Sequence, residues 1–130
     1  MKVLISIQLA KQWEEVTFMS EAEESLKLRY PFLNTFSLDN FSSADMLDYA
    51  LEMMNKSERL LVLVESHHEH ADLHKLLRFF NILIRKQPNA KVILLGKHKM
   101  LEKMAKGIKD NFYLQPDKEA RNTIADCLFV

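Results

Sequence analysis

The run Leu60-Leu61-Val62-Leu63-Val64 constrains this chain more than any other feature, because five consecutive aliphatic residues leave neither face of a strand for water. Such a strand needs helices on both sides, the setting of a parallel sheet inside an α/β fold. Lys2 to Ile7 and Lys91 to Leu95 have the same character, Asn34 to Leu38 is weaker, and Phe112-Tyr113-Leu114 is a short fifth candidate.

Helical periodicity fills the gaps between these runs. Trp13 to Arg29 reads as a first helix with Trp13, Val16, Ser20, Glu23 and Leu26 along its stripe, ended by Pro31. A second starts near Ser42 or Ser43, turns Met46, Leu47, Ala50, Leu51 and Met54 inward, and closes at Asn55-Lys56-Ser57. The third, from about Glu69 to Lys86, has the cleanest stripe: Leu73, Leu76, Leu77, Phe80, Leu83 and Ile84. A fourth is expected from Met100 to Lys109, and a fifth after Pro116, with Asp117 at its first turn and Ile124 and Leu128 inward. Strand and helix alternate throughout, so the expected architecture is one three-layer αβα domain over residues 1–130. Its five-stranded parallel sheet takes the flavodoxin-like order 2-1-3-4-5.

Composition narrows the function. Eighteen basic residues balance eighteen acidic ones, so no overall field draws the chain to nucleic acid or an anionic membrane. The apolar start Val3-Leu4-Ile5 is too short for a signal peptide and is followed by Gln8, Lys11 and Glu14; no segment reaches the ~20 apolar residues that cross a bilayer. The one cysteine, Cys127, excludes an internal disulfide and reads as a small packing residue in a reducing, cytoplasmic setting. With only two glycines, Gly96 and Gly107, the chain has no glycine-rich phosphate loop, and the sequence names no cofactor.

In an open parallel sheet, ligands sit outside the carboxyl ends of the strands, at the point between strands one and three where connections pass to opposite faces. The candidate residues are therefore Gln8, Lys11 and Trp13; Asp39 and Asn40; Glu65 to His70; Gly96 to Lys99; and Gln115 to Asp117. A phosphoacceptor receiver of this fold would carry acids, an aspartate and a lysine where this chain has Gln8, Glu65 and Gln115.

Four of the five histidines lie between Glu65 and His74. On a helix already begun at His70, His70 and His74 would share one face at the spacing that lets two imidazoles hold zinc, with Glu69 or Asp72 as a third ligand and His98 nearby. The plainer reading is a solvated loop with acids favoured at a helix start. Glu65, at the end of a central strand beside Ser66, His67 and His68, is the candidate acid or base. Lys11, Ser66, His67, His68, Lys97 and His98 are the candidates to hold a small anionic ligand. The lysines at 97, 99, 103, 106 and 109 form a basic face with no interleaved aromatics to stack bases, which does not favour nucleic acid. Phe79 and Ile82 widen the third helix's stripe and are the candidate self-association surface.

The segments Lys2-Val3-Leu4-Ile5-Ser6, Met46 through Ala50 with Ser57, and Leu61-Val62-Leu63-Val64-Glu65-Ser66 resemble the pattern of TIR-like domains and of the related nucleoside deoxyribosyltransferase-like group. The resemblance covers the first 66 residues and implies a flavodoxin-like scaffold that assembles with itself or with a partner. This chain has neither the Ser-x-Trp-Cys-x-x-Glu stretch of enzymatic TIR domains nor the glycine-containing first loop of the deoxyribosyltransferases, so the resemblance carries over no catalytic residue.

The expectation is a non-catalytic protein-interaction or regulatory module. The alternative is a small enzyme or ligand-binding domain acting on an anionic or nucleotide-like molecule at the carboxyl edge of the sheet. Geometry separates them: the enzyme needs Glu65, His68 and His98 to face one pocket.

Overall fold

A computed structural model of the chain describes residues 1–86, 89–107 and 110–130. Strands β1 (Lys2–Leu9), β2 (Asn34–Asp39), β3 (Arg59–Ser66), β4 (Ala90–Leu95) and β5 (Phe112–Leu114) run parallel in one sheet of order β2-β1-β3-β4-β5. Helices α1 (Glu21–Arg29), α2 (Ala44–Lys56), α3 (Leu77–Ile84), α4 (Lys99–Lys106) and α5 (Lys118–Phe129) complete a three-layer, flavodoxin-like α/β architecture. Among the described residues no helix is long and apolar enough to cross a membrane.

Side-chain alternation divides the core in two. Val3, Ile5, Ile7, Leu9, Leu60, Val62, Val64, Val92 and Leu94 face α2, α3 and α4, while Leu4, Leu61, Leu63 and Ile93 face α1 and α5. Both sides of β3 are therefore sealed, which is why its sequence shows no polar alternation. Each large aliphatic side chain so buried contributes roughly 1.5–3 kcal/mol. Side-chain caps start the helices: Ser20 Oγ accepts from the Glu23 amide at 3.1 Å, Ser43 Oγ from Met46 at 3.4 Å, and Asp117 Oδ1 from Ala120 at 2.8 Å.

The first helix is shorter than its periodicity suggests. Trp13–Glu15 is a single 3-10 turn, and α1 starts only at Glu21. Two pairs of local hydrogen bonds decide this: Glu15 Oε1 accepts from the Lys11 and Gln12 amides at 3.0 and 2.8 Å, and Gln8 occupies both backbone groups of Thr17. Trp13 is consequently exposed. In α2, Met46 is exposed and Met53 takes the buried place beside Met54.

The third helix also starts late. Residues 67–73 are loop, His74–Leu76 is a 3-10 turn, and α3 begins at Leu77. Backbone groups that a helix would use are claimed elsewhere: Glu69 O by the Lys99 amide at 3.1 Å, Ala71 O by His98 at 2.8 Å, and the His74 amide by Asp72 Oδ1 at 2.9 Å. His70 and His74 therefore do not sit one helical turn apart. The exposed band expected at Phe79 and Ile82 is corrected too, since Phe79 is buried in the core and Ile82 packs against it. Cys127 is exposed rather than buried, and α4 ends at Lys106; Lys109 lies outside the described residues.

Candidate functional site: the carboxyl rim of the sheet

Three uncharged carboxamides fix the loops at this rim, each gripping one backbone unit in both directions. Gln8, at the end of β1, donates to Thr17 O at 2.6 Å and accepts from the Thr17 amide at 2.9 Å. Asn40, after β2, donates to Ala10 O at 2.8 Å and accepts from the Ala10 amide at 3.0 Å. Gln115, after β5, donates to Gly96 O and accepts from the Gly96 amide at 2.8 Å. Gly96 has φ of 80°, and a Cβ there would lie 2.2 Å from Ser66 O, so β3 and β4 approach each other at a point only glycine permits.

The expected site residues part into two groups. Glu65 lies on the α1 side of the sheet, in the row that contains Leu61 and Leu63. Its Oε2 is buried without a hydrogen-bond partner. Burial raises the Glu65 carboxyl above its ordinary value; the Ser20 hydroxyl opposes this, the negative charge of Glu23 adds to it, and His67 and Arg121 lower it through space. His67 reaches the same side, its Nε2 2.9 Å from Gln8 Oε1.

His98 belongs to the other side. It is buried and both ring nitrogens are engaged: Nδ1 accepts from the Leu101 amide at 3.4 Å as the cap of α4, and Nε2–H donates to Ala71 O at 2.8 Å. Both ring nitrogens of His98 are thus occupied within the fold. His68 accepts from the His70 amide at 3.0 Å, and its ring sits 5.8 Å from that of His70. Ser66 Oγ–H lies between Lys97 O at 2.8 Å and His68 O at 3.0 Å, tying two rim loops together. Lys11 and Lys97 are exposed. Glu65, His68 and His98 therefore do not converge on one pocket.

The second group lines an open groove of about 450 Å³ between the loop after β3 and the start of α4. Leu73, Leu77 and Met100 supply its apolar surface, Lys99 and Lys103 its basic groups and Glu69 and Asp72 its acidic ones, with His70, His74 and His98 also in the lining. Glu69 is paired with His70 at 3.3 Å. Among the described residues no group of three or more His, Cys, Asp or Glu side chains is arranged to hold a metal ion.

Two features of the rim lay outside the sequence reading. Phe18 is 95% exposed, and Phe41 meets Trp13 edge to face at 6.4 Å, so the loops after β1 and β2 present an aromatic surface. The Asx turn that lifts Phe41, with its amide donating to Asp39 Oδ1 at 2.7 Å, was legible in Asp39-Asn40-Phe41. Glu23 is 1% exposed, with Oε2 on Lys27 at 2.7 Å and on Ser37 Oγ at 3.1 Å. The Ser20-x-x-Glu23 spacing signals a cap but not a buried carboxylate.

Comparison with protein-family models, with curated proteins and with solved structures finds no match.

Proposed function

We propose that this protein is a non-catalytic interaction module that pairs with a second copy of itself through the carboxyl rim. The observation that carries the reading is Phe18, a large aromatic 95% exposed on a loop that Gln8 holds in place. Exposed aromatics on a pre-ordered loop are the usual anchors of protein contacts, because little entropy is lost when they dock. Trp13 and Phe41 add aromatic surface at the same rim, and Glu14 and Glu21 are exposed close to Trp13 and Phe18 in sequence.

The opposite chemistry lies on the same rim. The groove between the β3 loop and α4 offers apolar walls, with Lys99 and Lys103 on its α4 side and Glu69 and Asp72 on its loop side. An aromatic knob near acidic residues and an apolar groove with lysines on one side, at one end of a molecule, are self-complementary, and two copies related by a two-fold axis would make the contact twice. The lone exposed thiol of Cys127 suits a cytoplasmic setting, where it stays reduced.

Light scattering across a concentration series tests the pairing. A dimer is expected for the wild type, and monomers for Phe18→Asp and for Lys99→Glu with Lys103→Glu. Mixing the two variants should restore a heterodimer, since one intact knob meets one intact groove. A wild type that stays monomeric at millimolar concentration, or a Phe18→Asp variant that pairs as well as the wild type, overturns the reading.

A second reading, a small enzyme or ligand-binding domain, is favoured by the half-buried Glu65 carboxyl at the end of a central strand. A thermal-shift screen with nucleotides and sugar phosphates tests it: stabilisation lost in Glu65→Gln supports it, and no stabilisation removes it.

A further inference from the structure

Among the described residues, three buried side-chain oxygens have no hydrogen-bond partner: Ser6 Oγ, Glu23 Oε1 and Glu65 Oε2. The register and the contacts of α1 set all three on the α1 side of the sheet. Ser6 lies opposite Ser37 across β1 and β2, and Ser37 Oγ donates to Glu23 Oε2 at 3.1 Å. On the other side of β1, Ser6 pairs with Leu63, two residues before Glu65 on the same face of β3. Glu65 in turn feels the charge of Glu23. Ser6 and Glu23 are 2% and 1% exposed, so neither oxygen can turn to water. Native proteins rarely leave such groups unsatisfied, and three on one face of the sheet call for a partner.

We propose that Ser6, Glu23 and Glu65 bind the ammonium head of a small primary amine. Three acceptors match the three N–H donors of an ammonium group, which has no lone pair to offend them. The charge also matches. Glu23 is already paired with Lys27 at 2.7 Å, so one carboxylate, that of Glu65, is left for a monovalent cation. Arg121 on α5 is turned to Pro116 O at 3.0 Å and His67 to Gln8, and neither occupies Glu65 Oε2. A divalent ion is a poorer fit, because hard cations of that charge take six or more oxygens. Glu65 and Ser20 are half-buried at the rim, so the carbon chain of the amine leaves between them. This site lies on the α1 side of the sheet and is separate from the groove proposed for pairing.

Isothermal titration of the full chain with methylammonium chloride, at ionic strength held constant with sodium chloride, tests the site. Saturable binding is expected, weakened at least about tenfold in Ser6→Ala and in Glu65→Gln, as loss of one charge-assisted bond implies. Tetramethylammonium, with the same charge and no N–H, should not bind. Absence of methylammonium binding, as when a water fills the cluster, overturns the proposal. So does equal binding of tetramethylammonium, or unchanged affinity in both variants.

Discussion

Gln8 and Thr17 form a closed pair, with the side-chain amide of one donating to and accepting from the backbone of the other at 2.6 and 2.9 Å. Gln8 is 5% exposed, so its groups have no water to fall back on. Gln8→Ala should cost about 1–3 kcal/mol and release the loop that bears Trp13 and Phe18. Chemical denaturation gives the first number and hydrogen exchange at the Thr17 amide the second. An amide as protected in the variant as in the wild type would show that the pair does not hold the loop.

At Gly96 the prediction concerns backbone alone. With φ of 80° and a Cβ position 2.2 Å from Ser66 O, Gly96→Ala must separate β3 from β4 at the rim. A loss of more than about 1 kcal/mol is expected in urea unfolding, against near-neutral behaviour for Gly107→Ala, where the nearest atom is 3.6 Å away. Equal stabilities for the two variants would contradict the close approach.

Phe79 packs edge to face with Phe80 at 5.5 Å inside the core. Phe79→Ala should therefore cost roughly 3–5 kcal/mol of folding stability. Its effect belongs to the unfolding curve, and the dissociation constant of any dimer measured below the transition should stay unchanged. A shift in association with intact stability would return Phe79 to a surface role.

The pH response should contain two opposed contributions. Burial raises the Glu65 carboxyl, so its ionised form weakens the fold at neutral pH, and that penalty fades as pH falls through the raised value toward the usual 4.5. Glu65→Gln should thus be more stable than the wild type at pH 7, by a margin that solvent screening keeps small, and no more stable well below pH 4.5. Asp126 runs the other way: hydrogen bonds from Arg29 and Tyr30 hold its carboxyl below the usual 3.8, so its support is present above that pH and is lost as pH falls through the depressed value. Urea midpoints of wild type, Glu65→Gln and Asp126→Asn between pH 3 and 7 would separate the two. A Glu65→Gln variant less stable than wild type at pH 7 would refute the first.

The sheet was readable because its residues answer to one requirement. Leu60 to Val64 are apolar on both faces, and that alone places β3 at the centre with helices above and below. The loops were less readable because distant residues compete for their backbone. Trp13 and Val16 are spaced as on a helix, yet Gln8 captures Thr17; Leu73 continues the stripe of α3, yet His98 and Lys99 hold Ala71 and Glu69 in a loop. The same limit governed the site. Glu65 and the rim histidines follow from strand order, whereas the spacing puts Glu23 on an ordinary helical stripe and gives no sign of Ser37 on β2, which donates to its carboxylate.

The carboxamides of Gln8, Asn40 and Gln115 carry no formal charge. Ions in solution would screen charged contacts in the proposed pairing, but they have little purchase on an amide closed upon a peptide group. If copies pair as proposed, raised salt should part them while each keeps its loops in place, so that such assembly would reverse without any refolding of the surfaces that meet.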